Sequence, residues 1–476
     1  MSHASHTIAR RSFIQSLVGG SLLLPGILSE LLAEGNSPAT SDVDPLAPKP
    51  PHFRPRAKQV IFINLSGGVS HVESFDYKPR LFTDHNKPYH VPAKMLEAFA
   101  PNNRAVEKYF KRPQWEFKQR GQSGLWISEL FPHIAECADD LCLIRSMRND
   151  HSDHFQATLG IHTGSVTFAR PSIGSWVSYG LGTVNRNLPS FVVLAPFLPY
   201  AGGQVWGSDF LPGCHQGTHV VPSPEPMPNI KRRQPSVELQ ELELGLAQSF
   251  NRRHLASRGT DANLSARIKS FETAFGMQAE APEAFDLSKE TDATLALYGL
   301  PRGSTKGFGW QCLVARRLVE RGVRFIELID TGASGNWDSH GDMNDHGRLA
   351  KNVDQPIAAL LKDLKSRGLL DETLVVWTTE FGRTPFNTTK DAKGREHHSE
   401  VFASWLAGGG VRGGFSYGES DEHGCTVASD EVHIHDFHAT ILHLLGLNHE
   451  RLTYRHAGRD FRLTDVAGRV VRDLIA

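Results

Sequence analysis

Five short apolar runs, each closed by polar or glycine-containing residues, set the frame of this chain. They are Gln59–Leu65 (QVIFINL), Leu141–Met147 (LCLIRSM), Ser190–Ala195 (SFVVLA), Val323–Ile329 (VRFIELI) and Thr373–Thr379 (TLVVWTT). Runs this short and this continuously apolar predict strands buried on both faces, the habit of parallel sheets. The stretch GWQCLVARRLVERG before the fourth run predicts a helix. Before the fifth, VDQPIAALLKDLKSRG places Val353, Ile357, Leu360, Leu361 and Leu364 at helical spacing, with Gly368 suited to the helix end. DFHATILHLLG predicts a later helix with Asp436 as N-cap and Gly446 beyond its end. Helices alternating with apolar strands build a layered α/β fold with a mostly parallel sheet. Such sheets bind ligands at the carboxyl ends of their strands.

Two regions depart from this alternation. Pro222–Arg233 and Arg252–Pro282 are weakly patterned, so a peripheral insertion is expected around residues 200–300. At the start, Arg10 and Arg11 precede Ser12-Phe13-Ile14 and an apolar stretch from Leu17 to Leu32 that contains Pro25. That stretch is too short for a comfortable membrane span. Residues 1–35 therefore read as a targeting segment, and the paired arginines resemble the bacterial twin-arginine signal. The resemblance implies export of the folded chain to the periplasm or another extracytoplasmic site. No A-x-A cleavage site follows, so membrane contact is expected only through an uncleaved signal. Residues 36–57 are polar and Pro-rich and read as a linker, leaving 58–476 as the α/β domain.

Composition narrows the functional classes. Lys+Arg number 51 against 52 Asp+Glu, for a net charge of -1, so no nucleic-acid partner is expected. The 39% hydrophobic and 22% charged contents suit a soluble globular chain. Five cysteines, none in CxxC spacing, do not make a disulfide scaffold. Histidine stands out, with 24 residues, many beside Asp, Glu or another His. Neutral imidazole is the commonest metal ligand.

These polar clusters follow the predicted strands. After the first come Ser66, Ser70, His71, Glu73 and Asp76, with two glycines that let backbone approach a ligand. After the second come His151, Ser152, Asp153, His154 and His162, where helix capping by Ser152 or Asp153 is the competing reading. The fourth leads into Asp330, Asp338, His340, Asp342, Asp345 and His346. Mixed carboxylate and imidazole suits zinc, manganese or iron, whereas calcium favours oxygen alone. The fifth ends at Glu380, followed by Arg383 and then Arg395, His397 and His398. Either arginine could hold a phosphate or sulfate in bidentate fashion or serve as a structural partner of Glu380 or Glu396.

The order of these landmarks resembles the alkaline phosphatase and sulfatase superfamily. LLKDLKSRGLLDETLVVWTTEFG resembles its helix and metal-bearing strand, and GREHHSEVFASWLAGGG its histidine loop and next strand. HFQATLGIHTG resembles the sulfatase segment that begins with the nucleophile. A narrower resemblance, through GGVSHVESFDYKP, HTGS, RPSIGSWVSYGLG, WDSH, EFGRTP, GREHH and GVRGGFSYGESDEHG, is to domain-of-unknown-function family 1501. It implies a three-layer α/β/α domain of the alkaline-phosphatase type from about Val60 onward. Asp338 and His340 then resemble the aspartate and histidine of one metal, Glu380 the strand-end acid, and His397 the loop histidine, with His398 competing. His71 and His151 join them as candidate ligands. Three departures matter. Phe381 replaces the histidine after the acid, no acid ends the first strand, and His154 stands at the nucleophile position.

The function this implies is an exported hydrolase of phosphate or sulfate esters holding one or two divalent transition ions, zinc or manganese before calcium. His154, Ser152 and Arg383 are its candidate catalytic residues, and the substrate is a small-molecule or glycan ester. The alternative is a non-catalytic binding or partner protein of the cell envelope on the same fold. A zinc peptidase is disfavoured, because HExxH is absent from the sequence.

Overall fold

A computed structural model describes residues 44–90, 107–231, 234, 236–258 and 262–476. The targeting segment and the start of the linker lie outside the described residues. Nine strands form one sheet: β1 Gln59–Asn64, β2 Leu141–Arg148, β3 Phe191–Leu194, β4 Thr218–Val220, β5 Phe325–Ile329, β6 Thr373–Thr378, β7 Phe402–Ala407, β8 Phe415–Tyr417 and β9 Val432–His433. Their order is β8-β2-β7-β6-β1-β5-β3-β4, and β9 also pairs with β2. Every pairing is parallel except those of β7, which runs against both β6 and β2.

The continuous apolar runs have a direct cause in β1. Val60 and Phe62 point into one core, Ile61 and Ile63 into the other. Side chains alternate across a strand, so a sheet covered on both faces needs apolar residues at every position. Helices α1 His154–Thr163, α2 Ile173–Leu181 and α7 Ile434–Leu444 cover the Phe62 face. Helices α4 Ala262–Phe285, α5 Phe308–Glu320 and α6 Asn344–Ser366 cover the Ile61 face. The result is the three-layer α/β/α architecture.

Most of Arg252–Pro282 is helical, in α3 Val237–Arg258 and α4, although its pattern is weak. Only a few α4 positions, among them Met277, Ala281 and Ala284, meet the core, so no broad apolar stripe was needed. Helix α7 begins earlier than its sequence suggests. The His433 imidazole caps it by accepting from the His435 N–H, while Asp436 sits in the first turn and accepts from Arg469 N at 2.7 Å. Residues 44–57 pack on the domain, with His52 N and Ala57 N donating to Gly446 O and Leu444 O at 2.8 and 2.9 Å. The five cysteines are free thiols. Among the described residues no helix is long and apolar enough to cross a membrane.

The parallel strands all end on one edge, and β7 begins there. The segments after β1, β2, β5 and β6 and the one before β7 therefore converge at a single place.

Candidate metal centre

Glu380 stands two residues beyond the end of β6 and is fully buried. Its Oε1 accepts from Gly67 N at 2.8 Å and lies 2.7 Å from His154 Nδ1, while Oε2 accepts from the Thr379 hydroxyl at 3.0 Å. Gly67 makes that approach with φ +114, and a Cβ there would stand 2.6 Å from Trp337 N. His154 opens α1, whose N-terminus is capped by Asp153 accepting from Phe155 N. That cap fixes the direction in which the ring leaves the helix.

The other face of the His154 ring looks toward Asp338. Around Asp338 Oδ1 lie His340 Nε2 at 2.9 Å, His397 Nε2 at 3.2 Å, His154 Nε2 at 3.3 Å and Arg383 Nη2 at 2.6 Å. The Nε2 atoms of His340 and His397 are only 3.0 Å apart. Each imidazole is anchored by its other nitrogen. His154 Nδ1 meets Glu380, His340 Nδ1 meets Glu396 Oε2 at 2.8 Å, and His397 Nδ1 meets the Ser152 carbonyl at 2.7 Å. These partners only accept hydrogen bonds, so they assign the proton of each neutral ring to Nδ1 and leave a lone pair on Nε2. Three lone pairs and a carboxylate oxygen thus face one another. His154 Nε2 is buried and makes no hydrogen bond. Donors held this way by acceptors behind them are the usual outer support of a metal ligand set. His154, Asp338 and His397 offer ligand atoms that all lie within 4.8 Å of one another, so the residues present fit a divalent cation.

The electrostatics hold the two carboxylates ionised and His397 neutral, as ligands require, while at His154 a cation must displace a proton. Burial opposes ionisation of Asp338, but His154, His397 and Arg383 hold its carboxyl far below the usual range. Burial likewise opposes ionisation of Glu380, and His154 more than offsets it. Burial would lower His154, yet Asp338 and Glu380 raise it. Burial lowers His397. Behind the cluster Asp330, pushed up to about 6 by burial, accepts from Ser66 N and Trp337 Nε1 and ties the two loops together.

The remaining sequence candidates are distributed as follows. His71 is buried elsewhere, with Nε2 on Gly424 O at 2.9 Å and its ring stacked on His398 at 5.7 Å. Burial pushes both of these imidazoles down to about 3. His151 accepts from Asp153 N at 3.0 Å. Ser152 contributes its carbonyl to His397. Arg383 is fully buried and spends its guanidinium on Gly67 O, Gly68 O, Arg395 O and Asp338. Glu73 is committed to Arg395 at 2.7 Å and Asp76 to Lys78 at 3.2 Å. Glu380 stands behind His154, apart from the converging atoms.

One site residue escaped the sequence reading. The Tyr200 ring stacks on His154 at 4.1 Å and 6°, and its hydroxyl accepts from Asn336 Nδ2 at 2.9 Å. Tyr200 follows β3, so the rule that ligands gather beyond strand carboxyl ends would have drawn it in. Phe381 completes the wall, 4.8 Å from His154 and 4.7 Å from His397.

Fold and site together define a three-layer α/β protein with a histidine–carboxylate cluster at the carboxyl edge of its sheet. The chain belongs to the family described as "Protein of unknown function (DUF1501)", matched over residues 57–475. No curated protein sequence matches it. Among solved structures it is similar to the alkaline phosphatase from the Antarctic bacterium TAB5, at 10% identity and TM-score 0.33, covering 83% of this chain and 99% of that one. It is similar to the lipoteichoic acid synthase LtaP from Listeria monocytogenes at 9% identity and TM-score 0.35, covering 89% and 79%. The PsFucS1 sulfatase from Pseudoalteromonas sp. stands at 12% identity and TM-score 0.35, covering 83% and 69%. Likenesses this distant assign no activity.

Proposed function

We propose that this chain is a metal-dependent hydrolase of phosphate or sulfate esters. The observation that carries the reading is the convergence of three imidazole Nε2 atoms on Asp338 Oδ1, each ring anchored through Nδ1. A bound divalent transition ion supplies Lewis-acid polarisation of an ester oxygen and screens developing charge. Asp338, His154 and His397 would hold that ion, with Glu380 and the Ser152 carbonyl holding the two rings. None of the converging groups is a hydroxyl or thiol, so water provides the attacking oxygen. His340 is the most open of the three imidazoles, 41% exposed, and Glu396 orients it. Its Nε2 takes the proton from the attacking water; the oxygen bonds to phosphorus or sulfur, and the departing ester oxygen is protonated from solvent. Tyr200 and Phe381 exclude water from the His154 side.

The test is element analysis of the purified full chain, with a panel of aryl phosphates and sulfates. Wild type is expected to carry about one zinc or manganese ion per chain, and His397→Ala to lose both metal and turnover. A metal-free wild type, or turnover indifferent to His397→Ala, sinks the reading. A second reading, a non-catalytic envelope binding protein, draws on the missing side-chain nucleophile; retained metal with no turnover across the panel would favour it. We further propose, from the twin-arginine resemblance, that the chain works outside the cytoplasm. Replacing Arg10 and Arg11 with Lys in a bacterial host should trap it inside, and unchanged export would refute that route.

A further inference from the structure

Along the same two segments that build the histidine cluster lies a hollow of about 310 Å³ with a different character. Its walls include His85, Lys111, Arg112, Lys390, Lys393 and Arg395, with Asp391 as the one carboxylate. Arg395 is neutralised by Glu73. The other four cations form no ion pair with a carboxylate among the described residues. Lys111 is the telling member: it is 5% exposed, and its ammonium donates only to neutral oxygens, Asn86 Oδ1 at 3.1 Å and Lys390 O at 2.6 Å. Burying an ammonium without a counter-charge is costly, and placing three more cations around it adds repulsion. Burial and then Arg395 lower Lys111, with Asp391 opposing them only in part; burial and then Lys111 and Arg112 lower His85. Both shifts agree with a positive potential in the hollow.

The hollow is joined to the cluster through the backbone. Met343 N donates to Lys393 O and Arg395 N to Ser339 O, each at 3.1 Å. One segment runs from Asp338 and His340 to Met343 and Asn344 in the hollow wall; the other runs from Lys390 to Glu396 and His397.

We infer that this hollow binds a phosphate or sulfate group, namely a second anionic group on the same substrate whose ester is cleaved at the histidine cluster. The inference deepens the hydrolase reading and, in its substrate part, rests on it. Arg112 offers a planar fork for two oxygens of the group, and the lysines add point charges. The preferred substrates are then esters carrying at least two anionic groups.

Two measurements on the full chain test it. The first is calorimetric titration with sodium phosphate and with sodium sulfate at low ionic strength, in the His397→Ala background, which removes the cluster's own claim on anions. Binding should persist there and weaken about tenfold or more on adding Lys390→Ala and Lys393→Ala. Both lysines are exposed, and Arg112→Ala provides an independent exposed variant. Absent binding, or affinity unchanged by all three substitutions, overturns the inference. The second compares kcat/KM for a mono-anionic and a bis-anionic ester. Lys390→Ala with Lys393→Ala should lower only the bis-anionic value; equal values for both variants and wild type, alongside weakened phosphate binding, would show a free ion as the ligand and overturn the substrate part. A metal-free, inactive wild type that still binds phosphate in this pattern refutes the hydrolase reading alone.

Discussion

His154 shows how much a single side chain depends on what stands behind it. Glu380 holds one ring nitrogen, Asp338 faces the other, and Tyr200 covers the flat side. The same logic applies at His340, whose Nδ1 rests on Glu396. Glu396→Gln should therefore lower turnover of an aryl phosphate about 10-fold or more, since it orients the base, without changing bound metal or moving the melting temperature appreciably. Steady-state kinetics beside element analysis read this directly, and unchanged turnover would deny Glu396 a supporting role. Gly67→Ala is expected to act on both stability and site. Its Cβ would meet Trp337 N and Asp338 N at 2.6 and 2.7 Å, in a left-handed backbone conformation that disfavours a side chain. A loss of about 2–4 kcal/mol is expected in denaturant unfolding, together with lost metal. At this scale the sequence showed that Asp338, His340, His397 and His154 belong near strand ends. It did not show that Glu380 backs His154, or that His71 and His398 stack on each other away from the cluster. Proximity to a strand end is written in the chain, whereas the direction of a side chain is set by its neighbours.

Among the elements, strands were more legible than caps and helix starts. The apolar runs at β1, β2, β3, β5 and β6 announce themselves because both faces of the sheet are covered. β4, β8 and β9 span only two or three residues, too few for any periodicity to register. The start of α7 was misplaced because an imidazole, a less common cap than Asp, took the role. His433 Nδ1 accepts the His435 N–H, so its Nε2 carries the proton and donates to Asp150 Oδ1 at 2.9 Å. Asp150, His433 and His435 have metal-like spacing, but this tautomer spends His433 on capping. His433→Ala should consequently cost about 1 kcal/mol of stability in a thermal melt, the usual worth of an N-cap, and leave bound metal unchanged. Metal lost from that variant would instead make the trio a ligand set.

For the whole molecule, buried imidazoles set the acid limit. His438 and His215 are buried and pushed down to about 3 by desolvation, with further lowering from nearby cationic groups. In the unfolded chain each takes a proton near the ordinary value of 6.5. The folded state binds fewer protons throughout this window, so stability falls as pH drops from 6.5 toward about 3. The slope of unfolding free energy against pH should flatten in His215→Gln, and a slope unchanged from wild type would show that His215 does not contribute. By itself the sequence determined the layered α/β class, the five main strands, the edge at which polar residues gather and the family to which the chain belongs. Those features follow from local periodicity and from motif order, both of which are properties of neighbours along the chain. Only the tertiary structure decided which histidines meet, which carboxylate they meet, which arginines are spent within the fold and where unpaired cations collect. These depend on contacts between residues such as His154 and Glu380, 226 positions apart, and on the proton each partner leaves or takes.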